Sequence, residues 1–273
     1  MKTYPRVLTI AGSDSGGGAG IQADIKSISA TGSYAASAIT AITVQNTVGV
    51  SGVHLVPVET IVGQIDAVID DIGVDAVKIG MLSSVEVVLA VRDALLKHGI
   101  DNIVLDPVMV ATSGDRLIDE SAVKVLSEEL APIARVLTPN IPEAEILTGM
   151  KISSQDDLPK VARRLSEAVS ARGNRKVSVL MKAGHLKDEK LVDYFYNAED
   201  GHLLELESIR VHSVNTHGTG CTLSSAFASY LAQGFSLDDA AREAKNYIAR
   251  AIESGADYSI GHGHGPVDHF WNR

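Results

Sequence analysis

Cysteine is nearly missing from this chain: Cys221 is the only one in 273 residues. A lone thiol excludes an intramolecular disulfide and any multi-cysteine zinc or iron–sulfur site within one chain. Aromatic residues are scarce, at 4%. No apolar run approaches the roughly 20 residues that span a bilayer. Positive charge is in deficit, with a formal net charge of −10. Such a chain is a poor non-specific partner for nucleic acid or an anionic membrane. The standard nucleotide loops are also lacking. In the glycine run AGSDSGGGAGIQAD at 11–24, Ile21 or Ala23 stands where G-x-G-x-x-G needs its third glycine, and no G-x-x-x-x-G-K-[ST] occurs. No signal-peptide pattern precedes the strand-like run at 6–12, so the cytoplasm is the expected compartment.

What is present is an α/β pattern. Hydrophobic residues make up 45% of the chain and glycine is plentiful, a profile of tight helix–sheet packing. Strands are predicted at 6–12, 37–46, 75–80, 102–106, 135–140, 176–185, 191–197 and 202–211, with a short hairpin or arm at 48–57. Between them, helical spacing marks a segment opening near Gly20, with Ile21, Ile25 and Ile28 on one face. Further helices are predicted near 58–72, 84–98 and 119–130, and from Leu237 to Ile252. This alternation implies a mainly parallel sheet covered on both faces, in one domain spanning 1–273. In such sheets ligands sit at the carboxyl ends of the strands. Gln45, Asp106, Asn140 and Lys182 fall at those ends.

The most informative stretch is NTHGTGCTLSSAFASYL, from Asn215 to Leu231. Leu223, Phe227, Tyr230 and Leu231 share one helical face, and the glycines stop where that face starts. A glycine turn feeding a helix presents unpaired N–H groups and a positive dipole end, which attract phosphate. The same field would lower the pKa of a first-turn thiol. Cys221 is therefore either a proton acceptor beside an anion site or a small buried hydrophobe.

Four glycines in five residues at 16–20 exceed what a turn needs and point to close approach by a ligand. Asp24 is either a hydrogen-bond acceptor for a ligand amine or a first-turn acid favoured by the helix dipole. Asp106 and Glu143 are the best oxygen donors for magnesium near strand ends. Lys182 is placed to pair with a nucleotide phosphate. His262, His264 and His269 alternate with glycine and read as a closing loop rather than a metal site.

Eight segments in order, LTIAGSDSGGGAGIQADIK, TVQNT, KIGML, VLDPVM, TPNIPEAEIL, MKAGH, NTHGTGCTL and GHGHGPVDHF, resemble the ribokinase-type small-molecule kinases. Within them the resemblance is to the bacterial hydroxymethylpyrimidine/phosphomethylpyrimidine kinases of thiamin biosynthesis, and it runs essentially end to end. It implies a three-layer ribokinase-like α/β fold and two successive ATP-dependent phosphorylations of one pyrimidine. It implies ATP near Asn140 and Lys182, and an acceptor pocket of Gly12, Ala19, Asp24, Gln45, Met81 and Val108. It further implies magnesium near Asp106 and Glu143, an anion hole at Gly218, Thr219 and Gly220, Cys221 as the base, and a homodimer. Vitamin B6 kinase activity is the alternative within the same chemistry. Two rivals of other classes are a cysteine acyl hydrolase pairing Cys221 with His217 and a non-catalytic sensor.

Overall fold

The computed structural model describes residues 3–109 and 118–272. Among them, nine strands form one sheet in the order β3-β2-β1-β4-β5-β6-β7-β8-β9. The strands are β1 (Arg6–Ser13), β2 (Tyr34–Gln45), β3 (Val50–Leu55), β4 (Ala76–Ile79), β5 (Ile103–Leu105), β6 (Val136–Leu137), β7 (Ser178–Met181), β8 (Lys190–Asn197) and β9 (His202–Ile209). The six from β2 to β7 in that order run parallel; β3 pairs antiparallel at one edge, and toward the other β8 is antiparallel to both β7 and β9. The arm expected at 48–57 is β3, paired to β2.

Helices cover both faces. On one side lie α2 (Val58–Asp71), α3 (Val85–Lys97), α4 (Glu120–Val125) and α6 (Leu158–Ser170), which bury Ile61, Ile65, Val91, Leu95, Val161 and Leu165 against the sheet. On the other lie α1 (Gly20–Ala30), α7 (Thr219–Ala232) and α8 (Leu237–Gly255), which bury Ile28, Phe227, Leu231, Ala244 and Tyr247. The short α5 (Ile141–Thr148) opens at Asn140 with a capping box closed by Glu143.

One expectation needs correction, and one helix lies outside the predicted ones. Ile25 does not share the buried face of α1: it is 36% exposed, while Ile21, Asp24 and Ile28 are buried. At 100° per residue Ile25 lies about 60° from Ile28, at the rim of the stripe. The helix α6 went unread, although Leu158, Val161, Ala162, Leu165 and Val169 keep helical register and are buried. Its stripe is narrow and flanked by Lys160, Arg163, Arg164 and Glu167, so it looks polar by content and helical only by period.

The α1/α7 side of the sheet holds a buried polar cluster. Thr9 and Lys78 are cross-strand neighbours on β1 and β4. Alternation aims both toward α1, because Val7 and Ala76, two residues before each, join the core on that side. Asp24 accepts from Thr9 Oγ1 at 2.6 Å, from Lys78 Nζ at 2.8 and 2.9 Å, and from Ser225 Oγ at 2.7 Å. Asp24 and Lys78 are both fully buried. Burial works against the Lys78 ammonium, but Asp24 outweighs it, with Cys221 and Asp106 adding to the effect, and its pKa is raised. Breaking such a pair from one side strands a charge. Lys78→Met is expected to cost about 3–5 kcal/mol, and Asp24→Leu/Lys78→Met to recover most of that loss. Urea titration of the two variants checks this; a single variant as stable as the parent chain would contradict it.

Candidate active site

A cavity of ≈ 670 Å³ opens along the carboxyl ends of β1, β2, β4, β5, β6 and β7. Each parallel strand ends there and hands the chain to a loop, so side chains distant in sequence converge.

One end gathers most of the residues expected in the acceptor pocket. Gly12, Ala19, Gln45, Met81 and Val108 line it. Gly12 admits the Met81 side chain, since a Cβ at 12 would stand 2.8 Å from Met81 Cε. Asp24 is the one expected pocket residue that does not line this wall. It lies beneath α7 with both oxygens filled by the donors named above, so its carboxylate offers nothing to a ligand. Lys78, its partner, does reach the cavity wall.

The glycine turn leads into α7. Gly218 is left-handed, at φ 78° and ψ 9°, and α7 starts at Thr219. Thr219 N donates to Thr216 O at 3.4 Å, while the Gly220 and Cys221 N–H groups have no intrahelical carbonyl to bond, an arrangement that suits an anion. Cys221 is half-buried in that turn. Its thiol departs from the sequence expectation of a lowered pKa. Burial pushes it up to about 11; Lys78 opposes the shift, while Asp24 and Asp106 add to it. The dipole field is thus overruled by desolvation and by two carboxylates.

Across the turn sits a charged cluster. Asp106 Oδ1 accepts from Lys182 Nζ at 2.9 Å and from Thr138 Oγ1 at 2.9 Å. Burial would raise Asp106, but Lys182 and Lys78 hold it below the usual carboxylate range. Burial likewise opposes Lys182, yet Asp106 and Glu143 raise it. Glu143 is 96% buried by area, being 4% exposed. Burial pushes it up to about 7, with Lys182 pulling down and Asp106 pushing up. The Asn140 side-chain Oδ1 is engaged as the α5 cap, accepting from Glu143 N at 3.0 Å. Asn140 thus meets the cavity while holding Glu143 in place.

Two oxygen acids without a third His, Cys, Asp or Glu ligand among the described residues do not suit zinc. They do suit magnesium, which takes one or two carboxylates and keeps waters beside phosphates. Asp106 and Glu143 therefore fit that ion by donor chemistry.

Sequence reasoning missed two pairs that line the cavity. Asp14 and His217 join at 2.9 Å, Asp14 Oδ2 to His217 Nε2. The available signal was an aspartate followed by glycines, which its carboxylate can bond as an Asx turn. Asp193 on β8 accepts from Lys245 on α8 at 2.7 Å. Lys245 had given itself away as a charge inside the apolar register of Ala241, Ala244 and Ile248. The cavity wall also includes the apolar Pro142, Ile146, Val211, Ile248 and Ile252.

Among the described residues no hydrogen bond joins Cys221 to His217, whose Nε2 is instead paired with Asp14 at 2.9 Å. His269 is buried against Thr222 Oγ1 at 3.1 Å, and burial drives its pKa down to about 4. His264 N donates to Thr47 O at 2.9 Å, so the loop straps the β2–β3 arm to the site.

The family described as phosphomethylpyrimidine kinase matches residues 14–268. The chain is 50% identical over 268 residues to the thiamine biosynthesis bifunctional protein ThiED of Geobacter sulfurreducens, covering 97% of this chain and 53% of that one. It spans about half the length of that relative. It is 49% identical over 263 residues to the hydroxymethylpyrimidine/phosphomethylpyrimidine kinase of Rhizobium meliloti, covering 96% of each. The Bacillus subtilis pyridoxal kinase, solved as an ADP complex, superposes with a TM-score of 0.87 at 35% identity over 98% of both chains. The phosphomethylpyrimidine kinase of Clostridium difficile 630 gives 0.75 at 44% identity over 90% of this chain and 99% of that one. The likeness extends to the ribokinase-like three-layer fold.

Proposed function

The chain belongs to the phosphomethylpyrimidine kinase family, and from that premise we propose that it converts 4-amino-5-hydroxymethyl-2-methylpyrimidine to its monophosphate and then its diphosphate, in thiamin biosynthesis. It is a phosphotransferase that uses ATP. The whole of 1–273 acts as one kinase domain in this reading. The observation that carries it is a single cavity joining a ring pocket, an anion turn and a Lys182–Asp106–Glu143 cluster.

Phosphoryl transfer asks a protein mainly for positioning and charge stabilisation. The pyrimidine lies among Gly12, Ala19, Gln45, Met81 and Val108, with its hydroxymethyl oxygen toward Cys221. The N–H groups of Gly218, Thr219, Gly220 and Cys221 take up charge developing on the transferred group. Lys182 leaves Asp106 to pair with phosphate oxygens, and Asn140 contacts the nucleotide. The exposed faces of Ile146 and Ile209, 53% and 72% open, receive the base. Asp106 and Glu143 would hold magnesium, which would neutralise phosphate charge. As the hydroxyl oxygen bonds to the γ-phosphorus and the bond to ADP breaks, the thiolate form of Cys221 takes the hydroxyl proton.

Asp24 drops out as a direct contact in this scheme and acts by holding Lys78 and Ser225. A second reading, vitamin B6 kinase as a side activity, is favoured by the pyridoxal kinase likeness. The protein works as a homodimer through the β2–β3 arm, whose edge exposes Ile42, Val44, Val53 and Leu55, in the cytoplasm. Among the described residues no helix is long and apolar enough to cross a membrane.

Incubation with ATP, Mg²⁺ and the pyrimidine, read by mass spectrometry with pyridoxal in parallel, tests the proposal. Monophosphate followed by diphosphate is expected. Faster turnover of pyridoxal would make the second reading primary, and no ATP-dependent product in either tube would refute both.

A further inference from the structure

The chain after α8 crosses two loops that the phosphoryl site needs. It leaves the helix at Gly255 and meets α7 again at His269, whose Nε2 lies 3.1 Å from Thr222 Oγ1. Between these points residues 260–266 run as a strap, fixed at three places. At its root the buried Asn215 donates from Nδ2 to Gly255 O at 2.8 Å and to Tyr258 O at 2.6 Å. In its middle Thr47 takes three successive amides. Its Oγ1 accepts from His262 N and Gly263 N at 3.2 Å each, and its carbonyl accepts from His264 N at 2.9 Å. At its end Gly265 O accepts from His217 N at 3.0 Å, and Pro266 pairs with His217 in a parallel bridge.

Thr47 sits at the tip of the β2–β3 arm, between Gln45 and Val50. The tip is folded without it: Asn46 Oδ1 takes the Val48 N–H at 2.9 Å and the Gly49 N–H at 3.3 Å, and Asn46 N donates to Gly49 O at 3.2 Å. The Thr47 hydroxyl and carbonyl are thus left to the strap. A hydroxyl oxygen has two lone pairs, and the strap uses both. The fit is also close, since a Cβ at Gly261 or Gly263 would overlap Thr47. On the far side, His217 directly precedes Gly218, where the turn into α7 begins. Two hydrogen-bonded steps therefore join the arm tip to the anion turn, Thr47 to 262–264 and Gly265 to His217.

We infer that Thr47 is a positioning residue for phosphoryl transfer: through the strap it holds the 218–221 turn where charge develops on the transferred group. Thr47 does not itself line the cavity, so its effect passes through the backbone of 262–265. Donors aimed at a transition state lose much of their value when displaced by about 1 Å. That loss falls on kcat, because such donors serve the transition state more than the bound ground state. The role rests on the reading that this turn receives the phosphoryl group, and deepens it.

Thr47→Val replaces the hydroxyl by a methyl of similar size and leaves the His262 and Gly263 amides without their acceptor. It should lower kcat for the first phosphorylation about tenfold, with KM for ATP and for the pyrimidine within about twofold. Thr47→Ser keeps the oxygen and should return kcat to within about twofold of the parent protein. An unchanged kcat in Thr47→Val, a loss on KM alone, or an equal loss in Thr47→Ser overturns the role. Amide exchange read by NMR tests the link apart from any substrate. In Thr47→Val, exchange should quicken about tenfold at His264 and at His217 alike. Quickening confined to 262–264 would show that the strap does not reach the turn, and overturns the inference. Failure of the parent protein to phosphorylate the pyrimidine would refute the parent reading instead, leaving the exchange result to decide the link. If Thr47→Val does not fold, Thr47→Ala, which removes the oxygen and sets no methyl against the strap amides, replaces it in both measurements.

Discussion

Gly218→Ala is expected to lower phosphoryl transfer by at least about 10²-fold, the scale of losing a donor to a developing oxyanion. It should lower the melting temperature as well. Gly218 has φ 78°, a region where an L side chain costs roughly 1–2 kcal/mol. The larger effect is steric. An alanine Cβ there would overlap the Gly18 carbonyl oxygen and crowd Ala19 Cα at 3.1 Å. Both are backbone, with no flexible side-chain end to swing away. The 216–220 turn and the 16–19 loop must part, and they carry the anion site and the ring pocket. Gly234 supplies the control. It has φ 88° with nothing within 4 Å of an added Cβ, so Gly234→Ala pays the dihedral penalty alone and keeps its activity. Steady-state kinetics and thermal melts on the two variants separate strain from overlap. Normal turnover by Gly218→Ala would remove the turn from the mechanism.

Cys221→Ala is expected to slow the first phosphorylation by about 10²–10⁴-fold, the range of general-base assistance, and the second far less. The alcohol must lose a proton, whereas the monophosphate oxygen is already anionic near neutrality. The raised thiol adds a pH signature. With a pKa of about 11, Cys221 is protonated at pH 7 and only its minor thiolate form can accept a proton. Because the folded pKa lies above the working range, the thiolate fraction grows about tenfold per pH unit from 7 to 9. The first-step rate should climb with it, while the second stays comparatively flat, and Cys221→Ala should abolish the climb. Separate pH profiles for the two steps check this. Equal losses in both steps with no pH climb would leave Cys221 as packing and a backbone donor.

The sequence was most readable where a local rule applies. The stripe of Leu223, Phe227 and Leu231 and the glycines before it stand as their spacing implied. Asp106 and Lys182 stand at strand ends beside one cavity, as buried β runs ending in a polar residue suggested. The rest depends on long-range pairing. Asp24 carries the same sequence whether it meets a ligand or a lysine; Lys78, 54 residues away, decided it. Asp14 and His217 are 203 residues apart, and neither hints at the other.

From the sequence alone came the α/β class, the phosphate-friendly turn, the exclusion of disulfide and multi-cysteine metal chemistry, and the kinase resemblance. These follow from composition, period and motif, which are properties of neighbouring residues. Only the tertiary structure decided the protonation of Cys221, the closure of Asp24 and the rise of Glu143 to about 7. Burial and the charges brought near a group set its proton affinity, and both are fixed by which distant segments pack around it.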